Sequence, residues 1–238
     1  MAKGMKRILW GVVIVLAVVL AAVCIFHGVK GYRLYQAVLE ECPIDQKVAS
    51  IRHEASYTTL SELPEIYAPA VVAAEDHRFY KHNGVDPLGL LRAVWNNIRT
   101  FSLREGGSTI TQQLAKNIYF SNTRSAERKI AEAFMAWELE RELEKDEILE
   151  LYINSIYYGG GQYCIYDAAK FYFEKEPMEL TEGECALLVG LPNAPSAYAP
   201  HVNPDLAEQR RQQVIDKMVR YKVVTAEEAE VIRDEKVV

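Results

Sequence analysis

The sequence is poor in what builds metal sites, disulfide scaffolds and β-sheets. Four cysteines stand among 238 residues. Cys24 falls in an apolar run, while Cys42, Cys164 and Cys185 show no zinc-ligand spacing and, being three, cannot all pair with one another. They read as small buried hydrophobes plus an incidental thiol at Cys42. Period-two alternation of apolar and polar residues is rare, which argues against strands. Net positive charge is lacking too. The chain carries −6, and its first 33 residues hold five Lys/Arg and no acid, which leaves −11 on the rest. Such an acidic body excludes non-specific nucleic-acid binding, so any anion it takes must be held by a local cluster. Internal repeats and low-complexity tracts are absent, and a composition 50% apolar and 25% charged excludes disorder.

One long apolar run is present. Residues 8–26 are 19 uncharged positions, which as a helix span roughly 28 Å, the thickness of a bilayer core. Lys3, Lys6 and Arg7 precede it, so the positive-inside tendency predicts a cytoplasmic tail over 1–7 and a transmembrane helix over 8–27. A juxtamembrane linker over 28–50 and an extracytoplasmic domain over 51–238 follow. The run is long for a signal-peptide core and lacks an A-x-A site, which favours an uncleaved single-pass anchor.

Beyond residue 56 apolar residues recur at three- and four-residue steps, which predicts a mainly α domain. Pro69 opens a helix ending near Glu75, Asn83-Gly84 breaks the chain, and Asp86-Pro87 opens a helix through Ile98. The segment 100–107 reads as a loop. Ser108 or Thr109 caps the next helix, leaving backbone N–H groups that favour an anion, with Thr109, Gln112 and Lys116 on one face. A long helical pattern spans 125–154, and its Glu132 lies in line with the apolar stripe of Met135 and Leu139. Gly159-Gly160-Gly161 marks a turn, helices follow near 167–173 and 181–191, and one or two amphipathic helices close the sequence from Asp205.

The chemistry concentrates between Glu75 and Glu132. These carboxylates bracket a segment, 77–129, with nine Lys/Arg against three acids. A base, a cation cluster and a second acid suit a reaction that deprotonates a hydroxyl and expels an anion. His77 and His82 are five apart, wrong for one helical face; they read as loop histidines bonded to the backbone, and no metal is demanded. G-G-S-T lacks the ending of a phosphate-binding P-loop. The aromatic set Tyr152, Tyr157, Tyr158, Tyr163, Tyr166, Phe171, Tyr172 and Phe173 reads mostly as core.

Four blocks, E-D-H-R-F-Y-K-H-N-G (75–84), G-G-S-T-I-T-Q-Q-L-A-K-N (106–117), R-K-I-A-E-A-F-M-A-W-E-L-E (128–140) and K-D-E-I-L-E-L-Y-I-N-S-I-Y-Y-G (145–159), resemble the successive signatures of the peptidoglycan glycosyltransferases. That family comprises the transglycosylase module of bifunctional penicillin-binding proteins and its monofunctional counterparts. The likeness runs over about residues 50–200. It implies a lysozyme-like helical fold in the bacterial plasma membrane, with lipid II and the growing lipid-linked glycan as substrates. It makes Glu75 the general base, with Glu132 the second catalytic acid. Lys116 and Arg124 meet the pyrophosphate, assisted by Ser108, Thr109, Gln112, Gln113, Asp76 and Arg128. Glu132 is left two roles, orienting the cations or coordinating a divalent ion, Mg or Mn; no cofactor is required. Other cell-wall synthesis proteins are expected partners, and residues 85–104 are the expected membrane-dipping region. Cys164 and Glu174 stand where members commonly have Gly, and Gly183 and Cys185 where they have Ala. No Ser-x-x-Lys motif occurs, which favours the monofunctional reading. The rival is a membrane-anchored, lysozyme-like glycan-cleaving enzyme, which needs a protonated acid and no diphosphate site.

Overall fold

The structure, a computed structural model, describes residues 2–100, 106–121, 123 and 125–237, with the side chains of 2–9, 94, 97 and 100 set aside. Among the described residues it is helical, with no strand, in agreement with the expected mainly α class. The first helix, α1 (Ala2–Glu41), is continuous. Its apolar part is exposed, has a mean hydropathy of 3.0 and is long enough to cross a membrane, which fits an anchor. The helix then continues into the body. Gly31 meets α6 (Ala126–Glu142) so closely that an added Cβ would lie 2.7 Å from the Ile130 side chain and 2.8 Å from the Glu127 carbonyl oxygen. Tyr35 stacks on Phe134, and His27 Nδ1 lies 2.9 Å from Glu127 Oε1. The stretch 28–50 is thus helical on both sides of a break at Cys42-Pro43, with α2 (Ile44–Arg52) following.

The core forms where α3 (Tyr67–Glu75), α5 (Ile110–Tyr119), α6, α7 (Lys145–Ile153) and α9 (Glu182–Gly190) meet. Tyr67, Ile110, Leu114, Met135, Leu139, Leu149 and Leu188 are fully buried there. Each fully buried Leu or Met contributes about 1.5–3 kcal/mol of transfer free energy, so this cluster fixes the helices that carry the polar groups. The pattern over 125–154 is two helices, not one long one. Leu143 is extended (φ −130°, ψ 146°), and Glu144 starts α7 through a reciprocal cap with Glu147, an acidic version of the usual Ser/Thr arrangement.

α4 (Pro87–Thr100) stands apart from this core on its outer side. Leu88, Leu91, Trp95 and Ile98, all between 61% and 66% exposed, form one apolar face. Between it and α3, Gly84 turns with φ 78° against the Ala136 carbonyl, where a Cβ would sit 2.7 Å away. After α8 (Ile165–Phe173), the residue that ends the helix is Glu174 at φ 57°, a left-handed position that accounts for the glycine expected there. A short helix, α10 (Pro195–Tyr198), leads to α11 (Pro204–Arg220), which packs on α3 and α9. α12 (Ala226–Asp234) lies against α11, where the buried Arg211 donates to the carbonyls of Ile232 (2.8 Å) and Arg233 (3.1 Å).

Candidate active site

Glu75 is the last residue of α3, where an apolar helix delivers it to the surface of the core with its side chain 11% exposed. Two groups hold the carboxylate. Gln113 Nε2, from α5, donates to Oε2 at 3.0 Å, and Arg210 Nη2, from α11, donates to Oε1 at 3.4 Å. Gln113 is itself oriented by the buried Tyr152 hydroxyl, which donates to its Oε1 at 3.3 Å. Arg210 is fixed by the Gly190 carbonyl, which accepts from its Nε at 3.1 Å, and packs over the Tyr198 ring. Lys217 of α11 donates to the Ala74 carbonyl at the end of α3. A carboxylate held by one amide and one guanidinium, with little water, keeps a fixed aim and an acceptor lone pair for a substrate hydroxyl.

Asp76 does a different job. Its side chain is buried, Oδ2 lies 2.9 Å from His82 Nε2, and the same oxygen accepts the Ile110 backbone N–H at 3.2 Å. This ties the loop after α3 to the first turn of α5. His82 is therefore bonded to a carboxylate, where the sequence suggested a backbone partner. The start of α5 is equally committed. Thr109 Oγ1 accepts the Gln112 N–H at 3.1 Å and donates to the Gly84 carbonyl at 2.5 Å, while the Thr109 N–H reaches Gln112 Oε1 at 3.2 Å. The cap was legible in the sequence, but the expected free N–H groups are not free: those of Ile110 and Gln112 are taken by Asp76 and Thr109. Asp76, Thr109 and Gln112 thus hold the frame, buried, and Gln113 on the next position carries the contact to Glu75.

The second carboxylate, Glu132 on α6, is 1% exposed. Lys129 Nζ donates to its Oε2 at 3.0 Å and also to Ser108 Oγ at 2.7 Å. Arg128 Nε lies 3.3 Å from Oε1, an ion-pair approach without hydrogen-bond geometry, and Arg128 Nη1 donates to the Ser121 carbonyl at 3.2 Å. With cations on both oxygens, Glu132 suits holding Arg128 and Lys129 in place; its surroundings do not fit a divalent ion, whose charge those two cations would oppose. Lys116 is half-buried on α5, one turn beyond Gln113, a spacing that puts side-chain roots roughly 5–6 Å apart. Arg124 lies outside the described residues.

Two residues of this arrangement were not singled out from sequence. Lys129 sits in the quoted R-K-I-A-E block, and its i,i+3 relation to Glu132 was the available signal. Arg210 lies 135 residues from Glu75 within an amphipathic pattern and gave none. Two cavities of about 220 and 200 Å³ are lined by other residues, so neither is the Glu75 site. The expected aromatic core holds for Tyr152 and Tyr158, which are buried, whereas Tyr163 and Phe171 are 63% and 47% exposed.

A helical domain with a nearly buried carboxylate at the end of α3, a second carboxylate flanked by two cations on α6 and a membrane-length apolar helix ahead of both has the make-up of a membrane-anchored transferase. The sequence profile described as Transglycosylase matches residues 44–219, and the chain belongs to that family. Penicillin-binding protein 1A of Neisseria lactamica is 46% identical over 186 residues, 77% of this chain and 23% of the relative. The chain thus spans about a quarter of the length of such relatives. A Cupriavidus necator protein provisionally named a transglycosylase is 43% identical over 77% of this chain and 79% of its own. The 2.6 Å crystal structure of penicillin-binding protein 1A from Haemophilus influenzae shares 32% identity over 54% of this chain and 16% of its own, with a TM-score of 0.38.

Proposed function

We propose that the protein is a peptidoglycan glycosyltransferase that polymerises lipid II into β-1,4-linked glycan strands. Glu75 takes the proton from the 4-hydroxyl of the acceptor's N-acetylglucosamine. The oxygen attacks C1 of the donor's N-acetylmuramic acid from the face opposite its α-linked diphosphate. The new C1–O bond forms as the old one breaks, the centre inverts, and undecaprenyl pyrophosphate leaves with the electron pair. Lys116 and Arg124 receive the developing charge, with Arg128 and Lys129, held by Glu132 and Ser108, adding to the field. No cofactor takes part in these steps. The N-terminus is cytoplasmic and the catalytic domain extracytoplasmic, with the exposed face of α4 against the bilayer that holds both substrates. Other cell-wall synthesis proteins are the expected company, and nucleic acid is not.

The observation that supports this reading most is the position of Glu75, bonded through Gln113 to the helix that carries Lys116 one turn on. Purified full chain given labelled lipid II, with and without chelator, is the test. Polymer that forms in both arms and vanishes in Glu75→Gln and Lys116→Ala, both still folded, is the expected result; losses of about 10²-fold or more are typical for a general base. Shortening of preformed strands without polymerisation would instead support the cleaving enzyme.

A further inference from the structure

Arg92, on α4, is a surface cation whose side chain meets a histidine. Its Nη1 donates to His77 Nε2 at 2.8 Å, with Nη2 3.4 Å from Nδ1, and it forms no ion pair with a carboxylate among the described residues. Burial, then Arg92 itself, holds His77 below its ordinary pKa of 6.5, which keeps the ring a neutral acceptor. The imidazole stacks on Tyr221 with ring centroids 4.3 Å apart, and both line the cavity of about 220 Å³. Its other walls include Ala68, Val72, Tyr80 and Val223, so it is mainly apolar and aromatic. Tyr80 has an acid partner, Asp146 at 2.9 Å, whereas Arg92 has none among the described residues.

The placement of Arg92 on α4 points to the ligand. Arg92 follows Leu91 and comes one turn after Leu88, so it borders the exposed stripe that continues through Trp95 and Ile98. On a chain with a membrane-length helix such a stripe rests in hydrocarbon, and a guanidinium at its border snorkels to the depth of the lipid phosphates. A guanidinium also matches a phosphodiester as a two-pronged donor. The cavity has room for about seven groups of water size, at ~30 Å³ each, which suits the glycerol-ester neck of a lipid and is too small for a whole acyl chain.

We propose that Arg92 and the cavity beside His77 bind an anionic bilayer phospholipid, with its phosphodiester on the guanidinium and its neck against Val72, Tyr80 and Tyr221. The site needs only membrane anchorage and stands whether or not the glycan-polymerising reading holds.

Native mass spectrometry of the full chain in detergent, titrated separately with phosphatidylglycerol and phosphatidylcholine of the same acyl chains, tests this. Wild type is expected to retain one phosphatidylglycerol at concentrations where phosphatidylcholine is lost. Arg92→Gln should weaken that retention at least about 10-fold, as the loss of a charge-assisted bond does. Arg99→Gln, a change at another exposed cation of α4, should not, and His77→Phe, which keeps the stack and frees Arg92, should retain or tighten the lipid. Equal binding of the two lipids, wild-type retention by Arg92→Gln, or equal losses at Arg92 and Arg99 would overturn the proposal. If Arg92→Gln weakens only a polyprenyl diphosphate titrated in the same way, the site belongs to the substrate and the phospholipid assignment falls.

Discussion

Arg210 reaches the carboxylate of Glu75 at 3.4 Å across 135 residues of sequence, and both side chains are nearly buried. The helix that ends in Glu75 and the helix that bears Arg210 therefore have to dock correctly before this carboxylate has its aim. Arg210→Ala should lower turnover by about 10-fold or more through misplacement of the carboxylate. Arg210→Lys keeps charge but loses the planar fork, so its rate should fall between the two. Steady-state kinetics on lipid II with circular dichroism as a fold check reads this out, and a wild-type rate in Arg210→Ala would remove the pair from the mechanism.

The loop that follows Glu75 is tied down at Asp86, which accepts from Arg78 Nε at 2.9 Å. Burial pushes its carboxyl up, but the Gly89 amide, then Arg78 and His82, outweigh it and hold the group below its ordinary value of 3.8. A depressed folded-state pKa means that the unfolded chain binds the proton more readily. The stabilisation is thus complete well above pH 3.8 and is lost as the pH falls below it. Melting temperatures taken from pH 6 down to pH 3 should drop more steeply in wild type than in Asp86→Asn, and parallel curves would contradict the assignment.

Gly31 lets the anchor helix press against Ile130 and the Glu127 carbonyl. Gly31→Leu must push α1 off α6, and overpacking of this sort costs about 1–3 kcal/mol. A fall of roughly 2–4 °C in melting temperature per kcal/mol is expected for a domain of this size. An Ile130→Ala partner should recover part of it, and only part, because the backbone carbonyl remains in the way.

Glu174 is held at φ 57° without a glycine's freedom. Glu174→Gly should stabilise the chain, since a non-glycine residue in the left-handed region costs roughly 1–2 kcal/mol. An unchanged or lower melting temperature would mean that the glutamate side chain compensates.

The sequence made local structure legible, and little that depends on distant docking. Ser108-Thr109 announced the start of α5 by cap chemistry, with the choice of Thr109 left to the structure, Asn83-Gly84 announced the turn that Gly84 makes at φ 78°, and Glu132 announced its burial by falling on the stripe of Met135 and Leu139. The break at Leu143-Glu144 stayed hidden because the apolar period runs across it unchanged. Arg210 stayed hidden because an arginine on an amphipathic helix looks the same in sequence whether it faces water or a carboxylate from another part of the chain. Asp76 sits beside Glu75 in sequence, yet whether it faces outward or into the core turns on where His82 and Ile110 fold, and no spacing rule reports that.

The unbroken course of α1 has a mechanical consequence. A stiff rod that leaves the lipid and beds directly into α6 gives the cluster around Glu132 a set stand-off from the headgroups, so the machine behaves as a tool on a fixed mast and not as a float on a slack line. Lengthening that mast by whole turns would lift the working end by about 5.4 Å a turn, beyond the reach of anything still rooted in the bilayer.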